Sequence, residues 1–89
     1  MSYIMGLDRR EKMNTSNVIK GFRGKKLLTQ DKVAEMMGVT RQTYNSLEND
    51  ILNNDFTLVF KLLQILELTE KDIEEFFDAL RQDYKSYKR

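Results

Sequence analysis

Residues 30–49 of the chain are QDKVAEMMGVTRQTYNSLEN, and this stretch predicts two short helices joined by a tight turn. Thr29 and Thr40 each precede a run of apolar residues at helical spacing, so each is expected to be an N-cap. Gly38 can adopt the left-handed conformation that ends a helix without strain. Ala34 is small, which lets the two helices cross closely. The expected inward-facing residues are Val33, Ala34, Met37, Val39, Tyr44 and Leu47.

Three more helices are predicted around this pair, which makes the chain all-α with five short helices. Thr15 or Ser16 is expected to cap a first helix that buries Val18, Ile19 and Phe22. After a polar connector at 50–55, a fourth helix at 56–66 is apolar on several sides and is expected to be the most buried. A fifth helix follows Thr69. The predicted organisation is a flexible arm at 1–13, a domain at 14–80 and a basic helical extension at 81–89.

Composition restricts the possible functions more than it selects one. The 89 residues allow one domain, and the absence of cysteine and histidine removes thiolate metal sites, disulfides and the commonest general base. The N-terminal MSYIMGLDRREK has no apolar stretch long enough for a secretory signal, and no apolar run approaches the ~20 residues that are needed to cross a bilayer. We therefore expect a cytoplasmic, non-enzymatic module without metal or cofactor. Five acidic residues could be imagined as a metal cluster but are expected to form a solvated helix face: Glu70, Asp72, Glu74, Glu75 and Asp78.

The formal net charge of +1 conceals an uneven distribution. Residues 13–45 carry six basic and two acidic side chains, whereas residues 46–80 carry two basic and nine acidic ones. The last nine residues are basic again. The chain can therefore present one positive face to a phosphate backbone, although uneven solvated surface would explain the same pattern.

The stretch at 30–49 resembles the helix-turn-helix of the lambda-repressor/Cro (Xre-type) family, and the resemblance covers about residues 18–76. It implies a compact five-helix lambda-repressor-like DNA-binding domain, here with an extended last helix. Asp50 departs from the family pattern by replacing a glycine, so Asn49 or Asp50 is expected to be left-handed. Tyr44 replaces a β-branched residue, and its hydroxyl is expected to reach the surface.

The outer arc of the third helix is the candidate base-reading surface. At about 100° per residue, this arc lies opposite Tyr44 and Leu47 and contains no carboxylate. Arginine can bind guanine O6 and N7, and glutamine or asparagine can bind adenine N6 and N7. The alternative is a neutral polar face without a function. The residues expected to contact bases are Arg41, Gln42, Asn45 and Ser46; Asn49 lies on the same arc.

The resemblance also implies contacts to the DNA backbone and one internal ion pair. Arg23 and Glu48 match a structural pair that joins the first helix to the end of the recognition helix. Thr40 and Gln30 could instead satisfy helix-end donors, and Lys32 could be simply solvated. The residues expected at the backbone are Gln30, Thr40, Thr43, Lys32 and Asn53.

These features predict a sequence-specific, double-stranded DNA-binding transcriptional regulator, a repressor of phage or mobile-element type without a small-molecule effector domain. The alternative is an antitoxin-like or other interaction subunit, in which the helix-turn-helix serves a complex. A homodimer is expected, because such proteins bind paired half-sites and the fifth helix carries surplus apolar residues. The tyrosines of that helix could instead fold onto its own domain. The candidate interface residues are Phe77, Leu80, Tyr84 and Tyr87.

Overall fold

Five α-helices make up the computed structural model, which describes residues 14–88 except for the side chains of residues 87 and 88. Within that range there is no strand, so the predicted all-α class is confirmed. The arm at 1–13, the side chain of Tyr87 and the end of the basic tail lie outside the described residues. The helices are α1 (Thr15–Lys25), α2 (Gln30–Met37), α3 (Arg41–Asn49), α4 (Phe56–Leu66) and α5 (Glu70–Lys88).

The helix-turn-helix unit begins and ends at the residues predicted from sequence. Thr29 accepts a hydrogen bond from the backbone N–H of Lys32, and Thr40 accepts one from that of Thr43. Gly38 has φ +76°, the left-handed conformation expected at the end of α2. These three residues fix α2 and α3 locally, before any tertiary contact is considered.

The first helix begins differently from the prediction. Asn14 is its N-cap and accepts from the backbone N–H of Asn17, so the expected cap at Thr15 or Ser16 is wrong. Thr15 is buried, and both its backbone N–H and its hydroxyl donate to the carboxylate of Asp83 in α5. A long-range partner therefore takes the hydroxyl that would otherwise be free to cap the helix.

The hydrophobic core lies between α1, α2, α3 and the inner faces of α4 and α5. Ala34 is 2% exposed where α2 and α3 pack together, and Val39 is half-buried in the turn against this core. Burial of these apolar side chains, rather than intrinsic helix propensity, holds such short helices in place. The fully buried apolar side chains include Ile19, Val33, Tyr44, Leu47, Leu62, Leu66 and Ala79.

Helix α4 is less buried than its composition predicts. Phe56 is 72% exposed and Phe60 is 58% exposed, with their rings 5.2 Å apart between centroids. Only Val59, Leu62 and Leu66 of this helix are buried. The expectation that α4 is the most buried helix is therefore wrong: it packs one face on the core and leaves a phenylalanine ridge outside.

Helix α5 packs along α1 and is one continuous element past residue 80. Thr69 and Asp72 cap each other's backbone N–H groups at its start. Asp72 also lies 3.8 Å from Lys25, and the bond between Thr15 and Asp83 holds the other end. Among residues 14–88, no helix is long and apolar enough to cross a membrane.

The connector after α3 corrects a third expectation. Asp50 has φ −152°, and the non-glycine residues with positive φ in the described chain are Leu27 and Glu67, so a left-handed Asn49 or Asp50 is wrong. The connector is closed instead by side-chain amides. Asn54 donates to the main-chain oxygen of Asp50 at 2.9 Å, and Asn53 donates to its carboxylate at 3.2 Å.

Candidate nucleic-acid interface

A buried carboxylate joins the three helices that carry the candidate site. Glu48 is 0% exposed and accepts four hydrogen bonds: from Arg23 Nε at 2.7 Å and Nη2 at 3.3 Å, from Tyr44 at 2.9 Å and from Gln30 at 2.6 Å. A buried charge is tolerated only when it is paired and hydrogen-bonded in this way. α1, α2 and α3 are thus fixed to one another at a single group.

The electrostatics of this cluster follow from the same contacts. The hydrogen bond to Glu48 raises the pKa of Arg23. Burial, and next the negative charge of Glu48, raise the pKa of Tyr44. The hydroxyl of Tyr44 is directed at Glu48 inside the protein, so the expectation that it reaches the surface is wrong. Tyrosine at this position supplies a donor to the carboxylate that valine or isoleucine would lack.

The opposite side of α3 presents the residues predicted to contact bases. Arg41, Gln42, Asn45 and Ser46 are all exposed, on the side away from the buried Tyr44 and Leu47. A carboxylate does approach this surface, but from α2: Asp31 lies 3.6 Å from Arg41 Nε. Both side chains are largely exposed, so the pair is weak and easily exchanged for another partner.

Gln30 links the buried carboxylate to the exposed arc. Its Nε2 donates both to Glu48 and, at 3.1 Å, to Asn45 Oδ1. Its Oε1 lies 3.5 Å from Arg41 Nη2. The first residue of α2 therefore contacts two of the four predicted base-contacting side chains.

Besides Gln30, the residues predicted to contact the DNA backbone lie in three separate places. Thr40 and Thr43 are neighbours at the start of α3, with their hydroxyl oxygens 3.0 Å apart, and Thr40 has the capping role described above. Lys32 is exposed on α2, 3.7 Å from Glu35. Asn53 lies beyond the other end of α3, where its amide donates to Asp50.

Sequence inspection missed two contributors to this surface. Asp31 approaches Arg41, and Ser16 donates to Asn49 Oδ1 at 3.1 Å, across from α1. Asn49 in turn donates to the main-chain oxygen of Asn45 at 3.0 Å. Helical spacing could place Asn49 on the arc, but no local signal indicated that α1 or the first turn of α2 would reach it.

The arrangement is suited to hydrogen-bonding and ionic recognition. In residues 14–88, no group of three or more acidic, histidine or cysteine side chains is arranged to hold a metal ion. The site offers a guanidinium, amides and hydroxyls on a rigid helix, and the major groove is wide enough to admit an α-helix. Two helices crossing at a left-handed glycine turn, the second with its polar side outward, define a helix-turn-helix module.

Comparison with known families agrees with this definition. The family model described as helix-turn-helix matches residues 19–73, which is more than half of the chain and includes α2, α3 and α4 entirely. The chain belongs to the Xre/lambda-repressor-like helix-turn-helix family, whose members are DNA-binding regulators. No curated protein and no solved structure gives a significant match to it.

Proposed function

We propose that this protein is a sequence-specific regulator that inserts α3 into the major groove of double-stranded DNA. In this proposal Arg41, Gln42, Asn45 and Ser46 contact base edges. One observation carries it: the exposed arc of α3 contains hydrogen-bonding groups and no carboxylate of its own, while the other side of the helix is anchored through Glu48. A merely solvated helix face needs no such anchoring.

The proposed backbone contacts position the helix without selecting sequence. Thr40 and Thr43 carry hydroxyls at the start of α3, and Lys32 and Asn53 extend the contacts to either side. Gln30 contributes by supporting Arg41 and Asn45 as well as by its place at the start of α2. Because the module acts by occupying DNA, we propose repression, by exclusion of other proteins from the site, in the cytoplasm.

The test is selection of bound DNA from a random pool, followed by binding measurements on the selected sequence. A defined consensus is expected, and Arg41→Ala should weaken binding by about 1–3 kcal/mol and relax preference at one base pair. Lys71 and Gln82 are exposed on α5, so the double variant K71A/Q82A is the matched control for R41A/Q42A. Failure to enrich any sequence, or equal loss in both double variants, would contradict the proposal.

A second copy of this chain is the partner that we propose for α5. Phe77 is 49% exposed and Tyr84 is 52% exposed, and the half-buried Leu80 lies beside them in an apolar groove that also includes Leu52. Tyr87 continues this stripe in sequence. Exposed apolar surface of this kind is characteristic of an interface, and two readers on one duplex gain specificity from paired half-sites.

Charge along α5 favours an antiparallel pairing of two copies. Pairing about a two-fold axis between residues 77 and 78 brings position 70 opposite 85 and position 74 opposite 81. Glu70 then faces Lys85, and Glu74 faces Arg81, twice in each dimer. At about 100° per residue all four fall on the same side of Phe77, so in an antiparallel pair the opposite charges meet along one edge of the apolar stripe.

Charge reversal tests this partner. We expect Glu74→Lys or Arg81→Glu alone to shift the protein towards monomer, and the double variant E74K/R81E to restore the dimer, measured by sedimentation equilibrium. Lys71→Glu lies away from the stripe and serves as the control. Equal masses for the wild type, the two single variants and the double variant would contradict the antiparallel dimer. A double variant that is more dissociated than both single variants would also contradict it.

A protein-interaction subunit is the second candidate, and the exposed ridge of Phe56 and Phe60 on α4 favours it. If the chain mainly serves a complex, the wild type will enrich no DNA sequence, while the ridge will be required for assembly. If it reads DNA, the double variant F56S/F60S will select the same consensus as the wild type. The two candidates therefore give opposite results in the same selection experiment.

A further inference from the structure

We propose that Asn45 selects a keto base, guanine or thymine, because the protein holds its amide oxygen and leaves only its N–H₂ group to face the groove. This inference deepens the proposed function and depends on it. It concerns the chemistry that one side chain can offer to DNA, and it follows from a hydrogen-bond chain that begins at Glu48.

Glu48 fixes the orientation of Gln30. The carboxylate of Glu48 pairs with the guanidinium of Arg23 and accepts from the hydroxyl of Tyr44, so its oxygens serve as hydrogen-bond acceptors. The atom of Gln30 that lies 2.6 Å from Glu48 Oε1 is therefore the nitrogen. An inverted amide would place two oxygens against each other at that distance. The direction of the Gln30 amide is thus set by charge.

Gln30 in turn fixes Asn45. The same nitrogen of Gln30 lies 3.1 Å from one terminal atom of the Asn45 amide. Because the Gln30 nitrogen is a donor, that atom must be the acceptor, Oδ1. The nitrogen of Asn45 consequently lies on the other side of its amide, away from Gln30.

Asn49 imposes the same orientation independently. Its Nδ2 lies 3.0 Å from the main-chain oxygen of Asn45, which can only accept, so this atom is a donor. The same nitrogen is 3.3 Å from Asn45 Oδ1, and Ser16 donates to the oxygen of Asn49. Two separate donors, one from α2 and one from α3, therefore converge on the oxygen of Asn45.

Asn45 is exposed and presents donors outward. Guanine O6 and thymine O4 are acceptors in the major groove, whereas adenine N6 and cytosine N4 are donors. A bidentate contact to adenine, which sequence inspection suggests for any asparagine, needs the oxygen that Gln30 and Asn49 already occupy. Arg41 is also only a donor, so the two side chains together favour acceptor-rich edges.

The substitution Asn45→Asp tests this directly. The aspartate is nearly isosteric, keeps an acceptor for Gln30 and Asn49, and turns a second acceptor outward in place of the N–H₂ group. Selection with the wild type should enrich one base pair of each half-site that has guanine or thymine in the strand facing Asn45. N45D should place cytosine or adenine in that same strand. On the wild-type site, exchange of the keto base for an amino base should weaken wild-type binding at least about fivefold.

Two further variants control the experiment. Gln82→Glu makes the same amide-to-carboxylate change on α5 and should leave every base preference intact. Asn45→Ala should lose the preference at that base pair without inverting it, which separates base selection from a general effect of negative charge. All of these substitutions are at exposed positions, and circular dichroism checks that each variant protein is folded.

The outcomes distinguish this inference from the proposed function. If no DNA is enriched by the wild type, both fail. If a consensus is obtained but N45D leaves every position unchanged, only the keto-base inference is overturned. The same holds if, at the base pair that responds, an abasic nucleotide in place of the keto base weakens wild-type binding no more than one in place of its amino partner. Inversion from keto to amino at one position supports it.

Discussion

Replacing Arg23 by methionine should destabilise the fold severely, because it removes two of the four donors to a carboxylate that is 0% exposed. Glu48 keeps Tyr44 and Gln30 as donors but loses its counter-charge. Breaking a buried ion pair by removing one partner costs about 3–5 kcal/mol. A chain of 89 residues has a free energy of unfolding of roughly 4–13 kcal/mol, so this variant loses a large part of its stability.

The triple variant R23M/Y44F/E48M supplies the decisive comparison. It removes the buried charge together with its partners Arg23 and Tyr44, while Gln30, which is half-buried, can turn to water. Since no uncompensated charge remains, we expect the triple variant to be more stable than Arg23→Met alone, despite carrying two more substitutions.

Urea unfolding followed by far-ultraviolet circular dichroism measures these differences. Lys32→Met removes the cation of an exposed pair and serves as the control, with an expected change within about 0.5 kcal/mol. A loss of less than about 1 kcal/mol in the Arg23 variant would refute the reasoning. So would a triple variant less stable than the single one.

Three further predictions concern backbone conformation and pH. Gly38→Ala should lower the free energy of unfolding by about 1–2 kcal/mol, because φ is +76°. Gly21→Ala lies within α1 and faces open space, so it should raise that free energy by about 0.5–1 kcal/mol. Thermal unfolding temperatures that move in the same direction for both variants would contradict this. Leu27→Gly should stabilise the fold by about 1 kcal/mol, since Leu27 is 90% exposed and has φ +58°. A lower free energy of unfolding in urea for this variant would contradict the prediction. The raised pKa of Tyr44 favours the neutral form in the folded state, so its contribution is present below about pH 10 and is lost as pH rises through the folded-state value. Stability above pH 10 should therefore fall more steeply in the wild type than in Tyr44→Phe, and parallel pH profiles would contradict the assignment.

Sequence predicted the elements whose signals are local. A threonine before each helix and a glycine between them are enough to fix α2 and α3, because capping and left-handed backbone act within a few residues. The same holds for the outward position of Arg41 and Asn45, which follows from helical spacing once Tyr44 and Leu47 face inward.

The errors arose where a distant partner decides between local alternatives. Asn14, Thr15 and Ser16 are all residue types that cap helices well. Thr15 is excluded as the cap because its hydroxyl donates to Asp83. The hydroxyl of Tyr44 could have pointed outward until Glu48 was placed beside it. Local sequence could not predict the orientation of the Asn45 amide either, because it depends on Gln30, fifteen positions earlier in the chain.

The phenylalanine ridge of α4 shows a different limit. An apolar composition predicts that a helix buries several faces, but a small domain has too little neighbouring surface to cover all of them. Phe56 and Phe60 remain outside because the rest of the domain covers only the side of α4 that carries Val59, Leu62 and Leu66. Composition identifies the apolar side chains without telling which of them a neighbour will cover.

Adjacent residues in the first turn of α1 connect the proposed DNA-reading surface of α3 with the proposed dimer surface of α5. Thr15 is bound to Asp83 in the last helix, and Ser16 is bound to Asn49 at the end of the recognition helix. We therefore expect a partner that shifts the end of α5 to alter the affinity for DNA, and DNA to alter the affinity for that partner by the same factor, as thermodynamic linkage requires. Occupancy of an operator would then depend on the concentration of the protein itself.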